Sequence, residues 1–315
     1  MFSKIFRKVP AALIVVPMLF AAFINSFFPK FFNLGPTSSS IASVDGLNAI
    51  ISITLVAVGS QLTLSRLKKA LGRGLTLFIF KWLSSIVLGF IFIKLFGNKG
   101  IFGISSLCFI AAISNQNNSI FVGLINDYGD EYDMASAAIT SIISVPIFTF
   151  LTLSILKVAD ITPSSILDLA LPILVGIFLG NIDKDFCKFL GQSQKYILVF
   201  LGFSIGASIN LSTIIEGGLG GIILSILTVL SAFLFTVPAD ILINKRPGWA
   251  GISIYTAAGN AIIVPALVSD LDKSWQATRA ISQAQLGTVV IFTSILVPIV
   301  VGLWNKKFGV KKIKI

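Results

Sequence analysis

The chain contains no histidine, which excludes a histidine proton relay and a zinc site of the His-Glu-x-x-His type. Its two cysteines, Cys108 and Cys187, lack Cys-x-x-Cys spacing, so neither a disulfide framework nor a metal knuckle is indicated. No Gly-x-x-x-x-Gly-Lys-Ser/Thr word occurs, and without that phosphate cradle ATP is not the energy source. Charge is scarce as well. Charged residues are 12% of the 315, against 55% hydrophobic, and mean hydropathy is +0.95. A soluble domain needs a polar surface that this composition does not supply, so the chain reads as an integral membrane protein. At about 20 residues per spanning helix it holds roughly ten helices and no large soluble domain.

The expected spans are 9–27, 41–61, 74–96, 101–126, 134–157, 164–181, 195–211, 217–243, 249–271 and 276–304. The connections between them are short, and they hold most of the charge. The net charge of +11 would suit a nucleic-acid binder if it formed one patch. It is instead split among alternate loops. Lys4, Arg7 and Lys8, then Arg66 to Arg73, Lys184 to Lys195, Lys245 with Arg246, and Lys306 to Lys314 all fall on one side of a ten-helix arrangement. This is the positive-inside pattern, and it places both termini in the cytoplasm of a multi-pass plasma-membrane protein. Nucleic acid is not an expected partner. The basic, then apolar, amino terminus resembles a secretory signal; it reads as the first helix because Val16-Pro17-Met18 has a counterpart in Leu171-Pro172-Ile173.

Two spans are interrupted by uncharged polar residues: the fourth by Ser114-Asn115-Gln116-Asn117-Asn118-Ser119, the ninth by Thr256-Ala257-Ala258-Gly259-Asn260. In lipid every backbone N–H and C=O needs a partner, so such breaks persist only when buried in protein or lining a wet cavity. The breaks lie about half a chain apart. Pro17 and Pro172, and the words beginning Gly59-Ser60-Gln61 and Gly206-Ala207-Ser208, repeat in the same order. Two five-helix units, 1–157 and 158–315, are therefore expected as repeats of a duplication; an odd helix number inverts the second copy. The fold class expected is an all-α membrane protein of ten transmembrane helices, in two inverted five-helix repeats with the broken helices 4 and 9 crossed.

The amides and hydroxyls of the first break carry no formal charge, and half-helix ends add a positive N–H cluster and a negative C=O cluster. Such a site can hold a carboxylate and a cation. Gly259 permits conformations or approaches that a side chain blocks, and Pro265 is expected to help keep the second segment from closing into a continuous helix. Asn115 and Asn260 are expected to meet at mid-membrane. Ser136, Thr140 and Ser144 recur at i, i+4 and i+8 as one stripe; with Ser282, Gln283, Gln285 and Thr288 they either face the cavity or bond their own backbone. Lys81, inside the third span, either pairs with an anion or snorkels to the headgroups. The acidic run Asp127 to Asp133 reads as a solvated face, and Asp240 as a neighbour of Lys245 and Arg246. The spans contain no set of acid, base and nucleophile, so an enzyme is not expected.

Lys8-Val9-Pro10, Val16-Pro17-Met18, the stretch Leu171-Pro172-Ile173-Leu174-Val175-Gly176-Ile177-Phe178-Leu179-Gly180-Asn181-Ile182-Asp183, Gly206 to Leu211 and Thr293 to Ile299 resemble the 2-keto-3-deoxygluconate permease family. The resemblance covers nearly the whole chain. It implies uptake of a sugar-acid anion by cation symport, in an architecture similar to the bile-acid sodium symporters. It further implies a panel domain of helices 1, 2, 6 and 7 and a core domain of helices 3–5 and 8–10 that slides like an elevator. The chain departs from the family where an acidic residue can stand and Ser114 is found, and where small glycines give way to Asn118 and Ser119. Losing the carboxyl removes an obvious proton carrier and leaves sodium, which needs only oxygen ligands.

The expected function is secondary active import of a small organic acid anion, 2-keto-3-deoxygluconate first, by proton or sodium symport. The alternatives are sodium-coupled transport of another carboxylate such as citrate, and a passive facilitator or channel. The expected substrate-binding residues are Asn115, Gln116, Asn117, Asn118, Ser119, Thr256, Gly259, Asn260 and Lys81. The cation-coupling set is Ser114, Asn115, Ser136, Thr140 and Asn260, with sodium placed at Ser114, Asn115 and Thr140. No cofactor is expected beyond the coupling ion. Partners are the anion, membrane lipid and, as an option, a second copy in a homodimer.

Overall fold

A computed structural model describes residues 12–62 and 72–309. Lys4, Arg7, Lys8, the 63–65 part of the first repeated word, Arg66, Lys68, Lys69 and the lysines from 311 onward lie outside the described residues. Among those described there is no strand, only an isolated bridge between Ile101 and Ile104. Besides the short helix Pro36–Ser40, the helices are α1 (Ala12–Phe27), α2 (Val44–Gly59), α3 (Arg73–Phe96), α4 (Ser106–Ser114), α5 (Asn118–Tyr128), α6 (Glu131–Thr140) and α7 (Ile147–Ile155). They continue with α8 (Pro163–Ile182), α9 (Lys184–Gly206), α10 (Leu211–Leu234), α11 (Thr236–Leu242), α12 (Trp249–Ser253), α13 (Asn260–Leu271) and α14 (Arg279–Phe308). Among the described residues, five helical stretches can cross a membrane by length and composition, or six if the bent pair Tyr132–Ser144 and Ile147–Ile155 is one span.

Large apolar side chains cover the outside. Leu171, Phe178, Leu219, Leu234, Ile299 and Leu303 are each more than half exposed. On a soluble protein such a surface would aggregate; against lipid it is the matched exterior. Inside, helices approach through glycine. A Cβ on Gly202 or Gly206 would run into the carbonyl oxygens of Ile14 or Met18 on α1. On α8, Gly176 and Gly180 lie against the backbone of Val56 and Ser60 in the same way. Bilayers supply little hydrophobic drive between helices, so this backbone-to-backbone approach does much of the holding.

The fifth expected span is not one helix. After α6 comes a 3-10 turn, Ser141–Ser144, then Val145 in extended conformation and α7, with a 56° bend. Pro146 has no N–H to give the preceding turn, and its ring disfavours helical backbone at Val145. The hydroxyl stripe therefore ends at Thr140 and does not continue as a helical face to Ser144. α9 begins eleven residues before the expected Lys195. Asp183 caps it by accepting from the N–H groups of Asp185 and Phe186, and Lys184, Lys188 and Lys195 share an exposed face.

One end of the molecule is tied by ions. Arg73, at the start of α3, contacts Asp130 at 2.8 Å and Asp133 at 2.9 Å. Arg246, between α11 and α12, contacts Asp130 at 3.3 Å and Asp133 at 2.5 Å. The Asp133 side chain is only 3% exposed. The acidic run is thus partly a buried ion network rather than a solvated face, because the two arginines converge on it from distant parts of the chain. Asp240 is buried as well; its carboxylate accepts from Asn244, whose amide also reaches the Arg73 carbonyl oxygen.

Candidate functional site at the crossing of two broken helices

The two polar interruptions meet. α4 stops at Ser114, Asn115 and Asn117 are extended, and α5 starts at Asn118. In the second segment α12 stops at Ser253 and α13 starts at Asn260. Asn117 donates its N–H to the Thr256 carbonyl oxygen at 2.6 Å. The Ala258 N–H donates to Asn115 Oδ1 at 2.8 Å. Each stretch thus supplies partners that the other lacks, as irregular backbone at membrane depth requires.

Each broken segment ends one half-helix and starts another beside the crossing. Asn117 Oδ1 caps α5 by accepting from the N–H groups of Ser119 and Ile120. α13 has no side-chain cap at Gly259; its first turn is closed by backbone instead, the N–H groups of Ala261 and Ile262 donating to the Ala258 and Gly259 carbonyl oxygens at 2.9 and 3.0 Å, and the helix dipole leaves this end positive. Gly259 has an ordinary helical φ of −54°; what it provides is room, since a Cβ would lie 3.1 Å from Ile14 Cδ1. Pro265 sits inside the continuous helix α13 and does not make the break, which is complete by Gly259.

Ser114, Asn115, Gln116, Thr256 and Asn260 are buried. Asn115 Nδ2, both polar atoms of Gln116 and Asn118 Oδ1 are buried without a hydrogen-bond partner among the described residues. Leaving such atoms unpaired costs about 1–3 kcal/mol each, so a concentration of them calls for partners from outside the chain. Ser119 is exposed, and its backbone N–H donates to Asn117 Oδ1 at 3.1 Å. Asn260 Nδ2 does not reach Asn115; it donates to the Ser144 carbonyl oxygen at 2.9 Å, tying α13 to the bend before α7.

The other expected residues divide. Ser114 shares a hydrogen bond of 2.6 Å with the Thr149 hydroxyl. Thr140 is buried but bonds back to the Ala137 carbonyl oxygen at 3.4 Å, and among the described residues no hydrogen bond joins it to Ser114 or Asn115. Ser136 bonds the Asp133 carbonyl oxygen and packs on Gly74 at the start of α3, beside the ion network. Gln285 donates to the Gly103 carbonyl oxygen at 2.9 Å. Lys81 is fully buried, with Nζ 3.3 Å from the centre of the Tyr255 ring and no hydrogen-bond partner among the described residues. Snorkelling is thereby ruled out: the stem points inward, because Tyr255, which bonds Ser84 at 2.5 Å, covers its end. Two supporting residues escaped the sequence reading. Thr149 pairs with Ser114, and Thr293 on α14 accepts the Ala257 N–H at 3.1 Å.

An apolar helical exterior enclosing two interrupted helices with unpaired amides defines a membrane permease rather than an enzyme. The chain belongs to the 2-keto-3-deoxygluconate permease family, whose model matches residues 3–310. It is 32% identical over 305 residues to 2-keto-3-deoxygluconate permease 1 of Salmonella typhimurium, covering 97% of this chain and 96% of that one. The 2-keto-3-deoxygluconate permease of Pectobacterium atrosepticum is 31% identical over 313 residues, 96% and 97% of the two chains. That of Escherichia coli O157:H7 is 27% identical over 321 residues, 99% and 97%.

Proposed function

We propose that this chain is a secondary active transporter importing 2-keto-3-deoxygluconate with a coupling cation, and that the anion binds where the two broken helices cross. The observation that carries the reading is the reciprocal bonding of Asn117 to Thr256 and of Ala258 to Asn115, which gathers the unpaired amides of Asn115 and Gln116 at half-helix ends. The names of the relatives support the choice of solute. The carboxylate is held by Asn115 Nδ2 and the Gln116 Nε2 amide within the positive field at the start of α13, and the sugar-acid hydroxyls by Gln116 Oε1 and Asn118 Oδ1. Lys81 lies directly behind Tyr255, and an arriving carboxylate is the counter-charge its surroundings lack.

The architecture in this reading is ten spans in two inverted repeats, 1–157 and 158–315, with both termini cytoplasmic. Spans 1, 2, 6 and 7 form the panel; its support is the packing of α1 on α9 and α2 on α8 through glycine. The remaining spans form the core that slides past it. The coupling ion rests on oxygens: the Ser114 and Thr149 hydroxyls and carbonyls freed at the breaks. With no carboxyl at the crossing, sodium coupling and a different carboxylate such as citrate form the second reading.

Counterflow in proteoliposomes tests both. Accumulation of 2-keto-3-deoxygluconate that needs a proton or sodium gradient is the expected result. Equilibration that ignores both gradients would make the protein a facilitator, and concentration of citrate alone would favour the second reading.

A further inference from the structure

Away from the crossing, a crevice of about 270 Å³ opens between the start of α2, the end of α9 and the first turns of α14. Its polar lining is Ser43, Ser204, Ser208, Gln276, Arg279 and Gln283. Gln283 is fully buried, and neither its Oε1 nor its Nε2 has a hydrogen-bond partner among the described residues. Arg279 is 8% exposed. Asp270 reaches only its Nη1, at 3.5 Å, well beyond the roughly 2.7–2.9 Å of a tight charged hydrogen bond; Asp270 is itself held by Asn48 at 3.2 Å. The guanidinium is therefore anchored by one nitrogen, and its remaining donors are not committed to that pair.

Arg279 and Gln283 are four residues apart on α14 and share a face. Gly287, the next position on that stripe, lies where a Cβ would be 3.0 Å from Met18 Cε and 4.0 Å from Ile262 Cδ1. Ile262 belongs to the first turn of α13, whose start is the crossing. One stripe thus leads from the crevice towards the broken helices. A guanidinium fork matches a carboxylate, and a primary amide can both donate to and accept from hydroxyls. The volume falls just below the range of about 300–1,000 Å³ typical of drug-sized ligands, which suits a compact sugar acid and excludes a bulky amphiphile.

We propose that this crevice is a second binding site, a vestibular subsite where a hydroxylated monocarboxylate docks on Arg279 and Gln283 before entering the crossing. The inference rests on the transporter reading above, whose orientation puts the crevice on the outer face. Arg279→Gln should raise the KM for 2-keto-3-deoxygluconate uptake from outside by about tenfold or more, the equivalent of one lost charged hydrogen bond. Maximal rate should stay within about twofold and the KM for efflux from inside should not move. Gln283→Leu should act in the same direction, more weakly, and Arg279→Lys should recover part of the loss. An unchanged external KM in both Arg279→Gln and Gln283→Leu, or equal losses in the two directions, overturns the proposal.

A binding readout guards against variants that fail to assemble. Both native cysteines are buried and Ser208 is exposed, so Ser208→Cys should react with an impermeant maleimide. External 2-keto-3-deoxygluconate should slow that reaction, and adding Arg279→Gln should abolish the protection. Protection without transport would uphold the subsite and sink the transporter reading. Transport without protection would do the reverse.

Discussion

Asn115→Asp separates the two duties of one side chain. Asn115 Oδ1 accepts the Ala258 N–H and holds the crossing together, while Nδ2 has no partner among the described residues. Aspartate keeps an acceptor in the same place, so the crossing should form and the variant should be recovered from the membrane like the wild type. What it removes is the donor. A hydrogen bond to a charged group contributes about 1.5–3 kcal/mol, so losing the one to the carboxylate should raise KM about 10- to 150-fold at about 1.4 kcal/mol per decade. A negative charge facing an anion in a dry site adds to that loss. Asn115→Ala removes both duties: it also leaves the part-buried Ala258 N–H without its acceptor, at up to about 1–3 kcal/mol, and should lower thermal stability as well as uptake. The assay is initial-rate uptake in proteoliposomes beside a melting curve in detergent. Asn115→Asp transporting with wild-type KM would refute the assignment of Nδ2 to the solute, whatever the alanine variant does.

Lys81→Met should melt no lower than the wild type, since it removes a buried amine with only the Tyr255 ring against it, yet uptake should be lost; a clear fall in melting temperature would show that the amine stabilises the fold. Gly206→Val should destabilise by about 1–3 kcal/mol through overpacking against the α1 backbone at Met18, visible as a lower melting temperature with a normal KM in whatever fraction folds. Asp130 lies outside the spans. Burial raises its pKa, but the Arg73 hydrogen bond and the nearby Arg246 charge prevail and hold it below the usual carboxylate range. A depressed folded-state value gives stability that is present above the unfolded value near 4 and lost as pH falls through the folded one. Asp130→Asn should therefore melt lower than wild type at neutral pH, with the gap closing below about pH 4; a gap that persists in acid would contradict the ion-pair origin.

The polar breaks were legible because six polar residues in an apolar run have few explanations in lipid, and their pairing followed from the repeated landmarks around them. The bend before α7 was written in Val145-Pro146 but hidden by a hydroxyl periodicity that looked helical. Thr149 and Thr293 were invisible for a related reason: a lone hydroxyl in an apolar helix reads the same whether it bonds its own backbone, as Thr140 does, or reaches another segment. The inward course of Lys81 depends on the Tyr255 ring, which belongs to a distant part of the chain. Arg73, Asp130, Asp133 and Arg246 likewise carry no local pattern that announces a cluster. Sequence periodicity reports which face of a helix is apolar; it does not report which distant polar group arrives there.

That cluster joins the start of α3 to the turn after the first broken span and to the turn before the second. The two walls of the proposed cradle are therefore lashed to one knot. Any displacement that carries Asn115 must tow Thr256 with it, so a solute caught between them would ride as sealed freight and not be pulled apart at its seam.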